Sequence, residues 1–313
     1  MLNESDTLTS ARDFGRARSG PALAAYLNWV RSEVQSYSID RVVFVEPACG
    51  WLQAFVQAFP DRGELWLKGS EEQFKLAEIQ HNLIEESLAS ISIGFNGLNA
   101  RQIFSHYGVP APADHVLADL QLTEDLRFGF GQEELTHRFV RAFKWDFYRA
   151  ANRLRSGLYK RLVGSGLRPG MQVAVVDMGW TSGLVDSCER VIRSMLDVNV
   201  HGFSFLLTEA DQLIAREARF FFKSFAGHLG VEAAQAAAME KRLDLLSVAM
   251  LPPDWRSGSP VSPHAGPLAA GIEDYARLVA EQGRLSGSAG PLLEAFGRED
   301  NDLLKPLMNL DRA

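Results

Sequence analysis

Short apolar runs alternate along the chain with longer stretches in which apolar residues recur at helical spacing. The apolar runs at 39–45, 64–67, 173–176 and 198–207 are rich in β-branched or aromatic residues. Such runs are typical of strands that are covered on both faces in a parallel sheet. With helices between them, they predict an α/β fold in which a mostly parallel, Rossmann-like sheet of at least four strands is flanked by helices.

Helical spacing of apolar residues also predicts how the chain is divided. We expect helices at 20–37, 52–59, 73–88, 133–163, 184–195, 232–250 and 271–282, and shorter ones within 94–107 and 113–132. The predicted organisation is a flexible N-terminus at 1–19, a Rossmann-like domain at 20–251 with a helical insertion at about 73–163, and a linker with a small helical C-terminal appendage at 252–313. In the aromatic-basic segment 141–149, helical spacing favours core packing over a surface that grips a polyanion.

The most informative stretch follows the third predicted strand. Asp177 stands at the carboxyl end of that strand, where open α/β sheets bind their ligands. Gly179 and Gly183 loosen the backbone, and Thr181 and Ser182 offer hydroxyl and N–H groups at a helix start, which suits an anion. The alternative is that Asp177 or Ser182 only caps the helix.

A second group of candidates follows the first two predicted strands. Glu46 ends the first strand and is a candidate second carboxylate for general acid/base chemistry, although such a residue is more often solvated or a cap. Gly50 and Trp51 lie in the turn that follows, and Ser70 follows the second strand. We expect these residues to line a crevice with the Asp177 loop.

Composition and charge narrow the function classes. The 313 residues carry a net charge of −7 and no basic stripe, which argues against a general nucleic-acid binder. Cys49 and Cys188 are too few for a disulfide framework, and the seven histidines have no metal-ligand spacing, so we predict no metal site. Acidic Glu4 and Asp6 replace the basic start of a signal peptide, and no stretch suits a membrane span, so we expect a cytoplasmic protein.

The segments 41–51, 69–70 and 176–183 together resemble a bacterial family of predicted hydrolases. Members are described as haloacid-dehalogenase-like and often occur in surface-polysaccharide gene clusters, sometimes fused to glycosyltransferases. The similarity covers roughly 21–260 and is to the portion that follows the dehalogenase-like half of those proteins. Its most specific piece is Val-Asp-Met-Gly-Trp at 176–180, which includes Trp180, with Gly183. The chain departs from the family where Ala48 and Cys49 precede Gly50 and where acids follow Ser70.

A second likeness is to type I phosphoribosyltransferases. Their apolar strand leads into two acids, three further residues and Thr-Gly, so that the acids face ribose hydroxyls and the loop amides hold the 5-phosphate. In the resemblance, Asp177 is the first acid, Ser182 takes the hydroxyl position and Gly183 is the glycine, whereas Met178 occupies the place of the second acid.

Two functions therefore remain open. In the first, a phosphorylated sugar or nucleotide sugar binds between the Gly50 turn and the Asp177 loop, for hydrolysis or for glycosyl or phosphoribosyl transfer. In the second, the chain is a catalytically degenerate scaffold that binds a protein partner such as a glycosyltransferase. A Ser-His-Asp hydrolase is disfavoured because a Gly-x-Ser-x-Gly elbow is absent from the sequence. No motif assigns a cofactor.

Overall fold

Five parallel strands form one sheet in this computed structural model. The strands are β1 (Arg41–Glu46), β2 (Glu64–Lys68), β3 (Gln172–Asp177), β4 (Asn199–Ser204) and β5 (Phe221–Ser224). They lie side by side in the order β2-β1-β3-β4-β5. The structure describes residues 12–46, 48–61, 63–81, 84–129, 131–178, 183–205, 221–225, 265–290 and 292. The predicted α/β class, with a parallel Rossmann-like sheet flanked by helices, is confirmed.

The helices of the described part have the following bounds: α1 (Gly20–Ser36), α2 (Gln53–Ala58), α3 (Glu71–Ala77), α4 (Ile84–Ile91), α5 (Ala100–His106), α6 (Asp114–Asp119), α7 (Glu133–Gly164), α8 (Gly183–Met195) and α9 (Ala265–Glu281). A π-helical turn at Gly15–Ser19 leads into α1, and 3-10 turns at Ala48–Leu52 and Ser92–Phe95 precede α2 and follow α4.

The chain divides into two compact units. Unit 1 consists of Met1–Lys68, Gly170–Val185 and Val198–Ala313, and unit 2 consists of Gly69–Pro169 and Asp186–Asp197. Unit 1 therefore contains the whole sheet, and unit 2 contains the region predicted as a helical insertion together with most of α8.

One face of the sheet in unit 1 is covered by helices. Val42, Phe44, Ala174, Val176 and Phe203 from the three central strands are buried in one apolar cluster with residues of α1, α2 and α9. Alternation along each strand places these side chains on the same face. Helix α9, which we predicted within a C-terminal appendage, thus contributes to the core of unit 1, as does the chain from residue 14, which we expected to be flexible.

Unit 2 has an aromatic core. Phe139, Phe143 and Phe147 on α7 are buried against Phe95 and Phe104, with ring centroids 5.0 to 6.0 Å apart. These three residues recur every four positions, so the expectation of core packing holds for them. Trp145 of the same segment is 48% exposed.

Two local predictions differ from the structure. The helix predicted at 73–88 is interrupted, because α3 ends at Ala77 and the Arg155 guanidinium donates to the carbonyls of Ala77 and Ile79, occupying acceptors at the helix end. No strand was predicted at β5. This strand has only four residues, and its apolar run is broken by Lys223, which forms an ion pair with Glu33 at 2.6 Å. The helix predicted at 232–250 and the predicted linker up to residue 264 lie outside the described residues. The last residues of the predicted linker, 265–267, belong to α9.

Candidate functional site

The order of the strands creates a switch point between β1 and β3. From β1 the chain continues to β2 on one side, whereas from β3 it continues to β4 on the other side. In open parallel sheets with this order, ligands bind outside the carboxyl ends of the two strands at the switch. The carboxyl ends of β1 and β3 are Glu46 and Asp177. Both predicted carboxylates thus end the two strands that define the switch.

Every strand of the sheet ends on a polar residue. Across the sheet these are Lys68, Glu46, Asp177, Ser204 and Ser224. Asp177 is level with Ser204, and Ser204 with Ser224, so these three side chains share one face. Glu46 is level with Lys68.

The register between β1 and β3 separates the two carboxylates. Phe44 is level with Val176, so Val45, and not Glu46, is level with Asp177. Since side chains alternate along a strand, Glu46 and Asp177 are directed to opposite faces of the sheet.

Asp177 lies in a fully buried environment. Only 1% of the surface of Asp177 is exposed. The Tyr26 hydroxyl donates to the main-chain carbonyl of Asp177 at 2.9 Å and shares its proton with the carbonyl of Phe203 at 3.1 Å. The Cys49 thiol lies 3.1 Å from the Val176 carbonyl. Burial, and secondly the charge of Asp177, raises the pKa of Cys49 well above its ordinary value. A ligand therefore contacts the Asp177 carboxylate only if surrounding residues move.

Other residues form the accessible surface at the carboxyl ends of β1 and of its neighbour β2. The side chain of Glu46 is 21% exposed and that of Lys68 63% exposed, with their charged atoms 3.7 Å apart. Gly50 is exposed, and a Cβ atom built on it would meet nothing within 4 Å. Trp51 is partly buried and packs against the apolar core of unit 1. This edge presents one carboxylate, one ammonium group and an open turn.

The loop after β3 is only partly described. Gly179, Trp180, Thr181 and Ser182 lie outside the described residues. Gly183 is the first residue of α8, a helix of 13 residues. Their roles at an anion site remain predictions.

Ser70 has a structural function in unit 2. It is the N-cap of α3, and its hydroxyl accepts from the N–H of Gln73 while the Gln73 side chain accepts from the Ser70 N–H. Glu71 and Glu72, the two acids that follow Ser70, occupy the first turn of this helix, where negative charge is favourable. Hydrogen bonding to His106 lowers the pKa of Glu72 to about 2. A ligand-binding role for Ser70 remains a prediction.

Sequence reasoning missed Tyr26 and Lys68. Helical spacing marks Tyr26 only as one apolar position of the helix predicted at 20–37. Nothing local indicates that its hydroxyl reaches residues 151 and 177 positions away. Lys68 does carry a local signal of a strand end, because this charged residue directly follows an apolar run. Among the described residues, no three potential metal ligands of the His, Cys, Asp and Glu types form a cluster. None of the described helices is long and apolar enough to cross a membrane.

The chain was compared with models of known protein families and with curated proteins, and neither comparison found a match.

Proposed function

We propose that the carboxyl edge of the sheet in unit 1 binds a phosphorylated sugar or nucleotide sugar. The observation that carries the proposal is the strand order, which makes the ends of β1 and β3 a switch point and places Glu46 and Asp177 at those ends. The ammonium group of Lys68 on the adjacent strand adds a cation to the same edge.

Each polar group has a distinct role in this proposal. Lys68 binds the phosphate, because its ion pair with Glu46 is long and its side chain is mostly exposed, so that the pair holds it only weakly. Glu46 accepts hydrogen bonds from sugar hydroxyls. The N–H groups at the start of α8, from Gly183 onward, add donors for the phosphate. Asp177 is a positioning residue, since its carboxylate is buried beneath the edge.

A thermal-shift titration tests the proposal. Glucose 1-phosphate, ribose 5-phosphate and UDP-glucose are compared with glucose, ribose and uridine. At a hundred times its dissociation constant a ligand stabilises the native state by about 2.7 kcal/mol, which raises the melting temperature measurably. We expect stabilisation by at least one phosphorylated compound and none by its unphosphorylated counterpart.

Three variants assign the effect to the site. Lys68→Met should abolish the stabilisation, while Lys160→Met, which removes an exposed lysine of α7 in unit 2, should leave it intact. Glu46→Gln should weaken the response to the sugar phosphate but not the response to inorganic phosphate. The proposal fails if no compound stabilises a protein that melts cooperatively, or if both lysine variants respond alike.

The burial of Asp177 supports a second candidate function, a scaffold without catalysis. The hydroxyl of Tyr26, the thiol of Cys49 and the carboxylate of Asp177 are all enclosed in unit 1, where they serve the fold. If this function is the correct one, the titration gives no shift, and Lys68→Met and Glu46→Gln melt like the wild type with or without ligand.

A further inference from the structure

Unit 2 contains a cavity that the proposed function does not use. Its volume is about 430 Å³, within the roughly 300–1,000 Å³ typical of small-molecule sites. One wall is a face of α7, where Glu133, His137 and Arg141 follow one another at intervals of four residues. The opposite wall contains Phe95 and Phe128.

The aromatic wall is held in place by packing and by backbone hydrogen bonds. Phe95 and Phe128 are 1% and 2% exposed, and their rings lie edge to face with centroids 6.0 Å apart. Each ring also contacts Phe139 of α7, at 5.6 and 5.0 Å. The N–H of Gly97 donates to the Phe128 carbonyl at 2.7 Å, and the Phe128 N–H donates to the Leu98 carbonyl at 2.8 Å. Because they are so deeply buried, Phe95 and Phe128 fix the shape of the cavity, and little of their own surface is open to a ligand.

Arg141 adds a positive charge to a cavity lining that also contains the carboxylates of Glu85 and Glu133. Its charge contributes, after that of Lys144, to the lowered pKa of Glu85. The carboxylate of Glu85 binds the Lys144 ammonium group at 2.6 Å, and that of Glu133 accepts from the Gly131 N–H at 3.3 Å. Within the described part of the chain, Arg141 forms no ion pair within 4 Å. A guanidinium group beside an apolar cavity is suited to a carboxylate, which it binds in a two-pronged geometry.

We propose that this cavity binds a small carboxylate with an apolar body, which lies in the part of the cavity bounded by Phe95, Phe128 and Val140 while the carboxylate contacts Arg141. Val140, which lies between His137 and Arg141 on the lining face of α7, completes the apolar part. The amide of Asn96 and the exposed imidazole of His137 provide further polar contacts at the rim. The site belongs to unit 2 alone, so it is independent of the sugar-phosphate site proposed in unit 1.

Fluorine NMR with two matched probes tests this site. The probes are 4-fluorophenylacetate and its neutral isostere 4-fluorophenylacetamide, titrated into the full-length protein. A charged hydrogen-bonded pair contributes more than a neutral one, so we expect the carboxylate to bind about 10- to 100-fold more tightly than the amide.

Variants of α7 locate the binding. Arg141→Met should remove the preference for the carboxylate while leaving the affinity for the amide unchanged. Arg138→Met removes another exposed arginine of the same helix that does not line the cavity, and it should change neither affinity. Val140→Trp should fill the cavity and eliminate binding of both probes. The proposal is overturned if the carboxylate does not bind at millimolar concentration, if both probes bind equally, or if the two arginine variants behave alike.

Discussion

The Tyr26 hydroxyl connects α1 to the carboxyl ends of β3 and β4, and its removal should loosen the edge that we propose as the ligand site. In Tyr26→Phe the ring remains, with its neighbours Trp29, Phe205 and Phe225 at centroid distances of 5.3 to 5.9 Å. No cavity is created, so the variant isolates the hydrogen bonds from the packing.

The expected cost follows from the loss of one hydrogen bond, because the hydroxyl has a single proton that the carbonyls of Asp177 and Phe203 share. Each hydrogen bond contributes about 0.5–1.5 kcal/mol net, and a buried acceptor left without a donor costs about 1–3 kcal/mol. The Asp177 carbonyl keeps one donor, because the Phe205 N–H lies 3.2 Å from it. We therefore expect the free energy of unfolding to fall by about 1–2 kcal/mol, close to where the two ranges overlap. At roughly 2–4 °C per kcal/mol, the melting temperature should fall by about 2–8 °C.

Urea denaturation measures the loss, and amide hydrogen exchange locates it. Exchange of the Phe205 N–H should accelerate in Tyr26→Phe, because this amide and the hydroxyl share the Asp177 carbonyl. Tyr159→Phe is the matched control, since Tyr159 is 45% exposed and its loss should change stability by less than about 0.5 kcal/mol. If Tyr26→Phe is as stable as this control and the Phe205 amide exchanges at the wild-type rate, the hydroxyl does not hold the two strand ends.

Three further predictions concern packing and pH. Gly202→Ala should destabilise the protein by about 1–3 kcal/mol in urea denaturation, because the new Cβ atom would lie 2.3 Å from a phenylalanine ring of β5. The control Gly50→Ala should cost under about 0.5 kcal/mol, because a Cβ atom at Gly50 would meet nothing within 4 Å. The hydrogen bond between Glu72 and His106 raises the pKa of His106 and lowers that of Glu72 to about 2. The stability that this pair contributes should therefore be lost as pH rises through the His106 pKa above 6.5, and also as pH falls below 4.5 towards the Glu72 pKa. Urea midpoints measured across pH should show both losses in the wild type and neither in His106→Gln. Burial raises the pKa of Cys49, so ionisation of the unfolded chain should reduce stability above about pH 9, and Cys49→Ala should make the alkaline decline shallower.

The sequence was sufficient to predict β1 to β4 because their composition is a local signal. β1, β2 and β3 contain at least three consecutive apolar residues, and β4 lies within the run predicted at 198–207. The predicted positions agree with the structure to within three residues at the ends that can be compared. Helix α7 was equally visible, since apolar residues recur at helical spacing over its 32 residues. The four-residue strand β5 was missed because Lys223 interrupts its apolar run and the strand is shorter than most.

Contacts between distant parts of the chain could not be predicted in this way. The hydrogen bond between the Tyr26 hydroxyl and Asp177 joins residues 151 positions apart, and neither residue carries a local sign of the other. The burial of Asp177 likewise depends on α1 and on the turn after β1, which pack around it only in the folded unit. A carboxylate after an apolar run indicates a strand end, but its accessibility is a property of the tertiary structure.

The pairing register has the largest consequence for function. Because side chains alternate, a shift of one residue between β1 and β3 would bring Glu46 level with Asp177 and place both carboxylates on one face, as general acid/base catalysis by the pair would need. In the observed register Glu46 is level instead with Lys68, and Asp177 with Ser204. The accessible edge at the ends of β1 and β2, beside the switch point, therefore combines a carboxylate with an ammonium group. Such a combination matches a ligand that carries both hydroxyls and a phosphate better than it matches hydrolysis by two carboxylates.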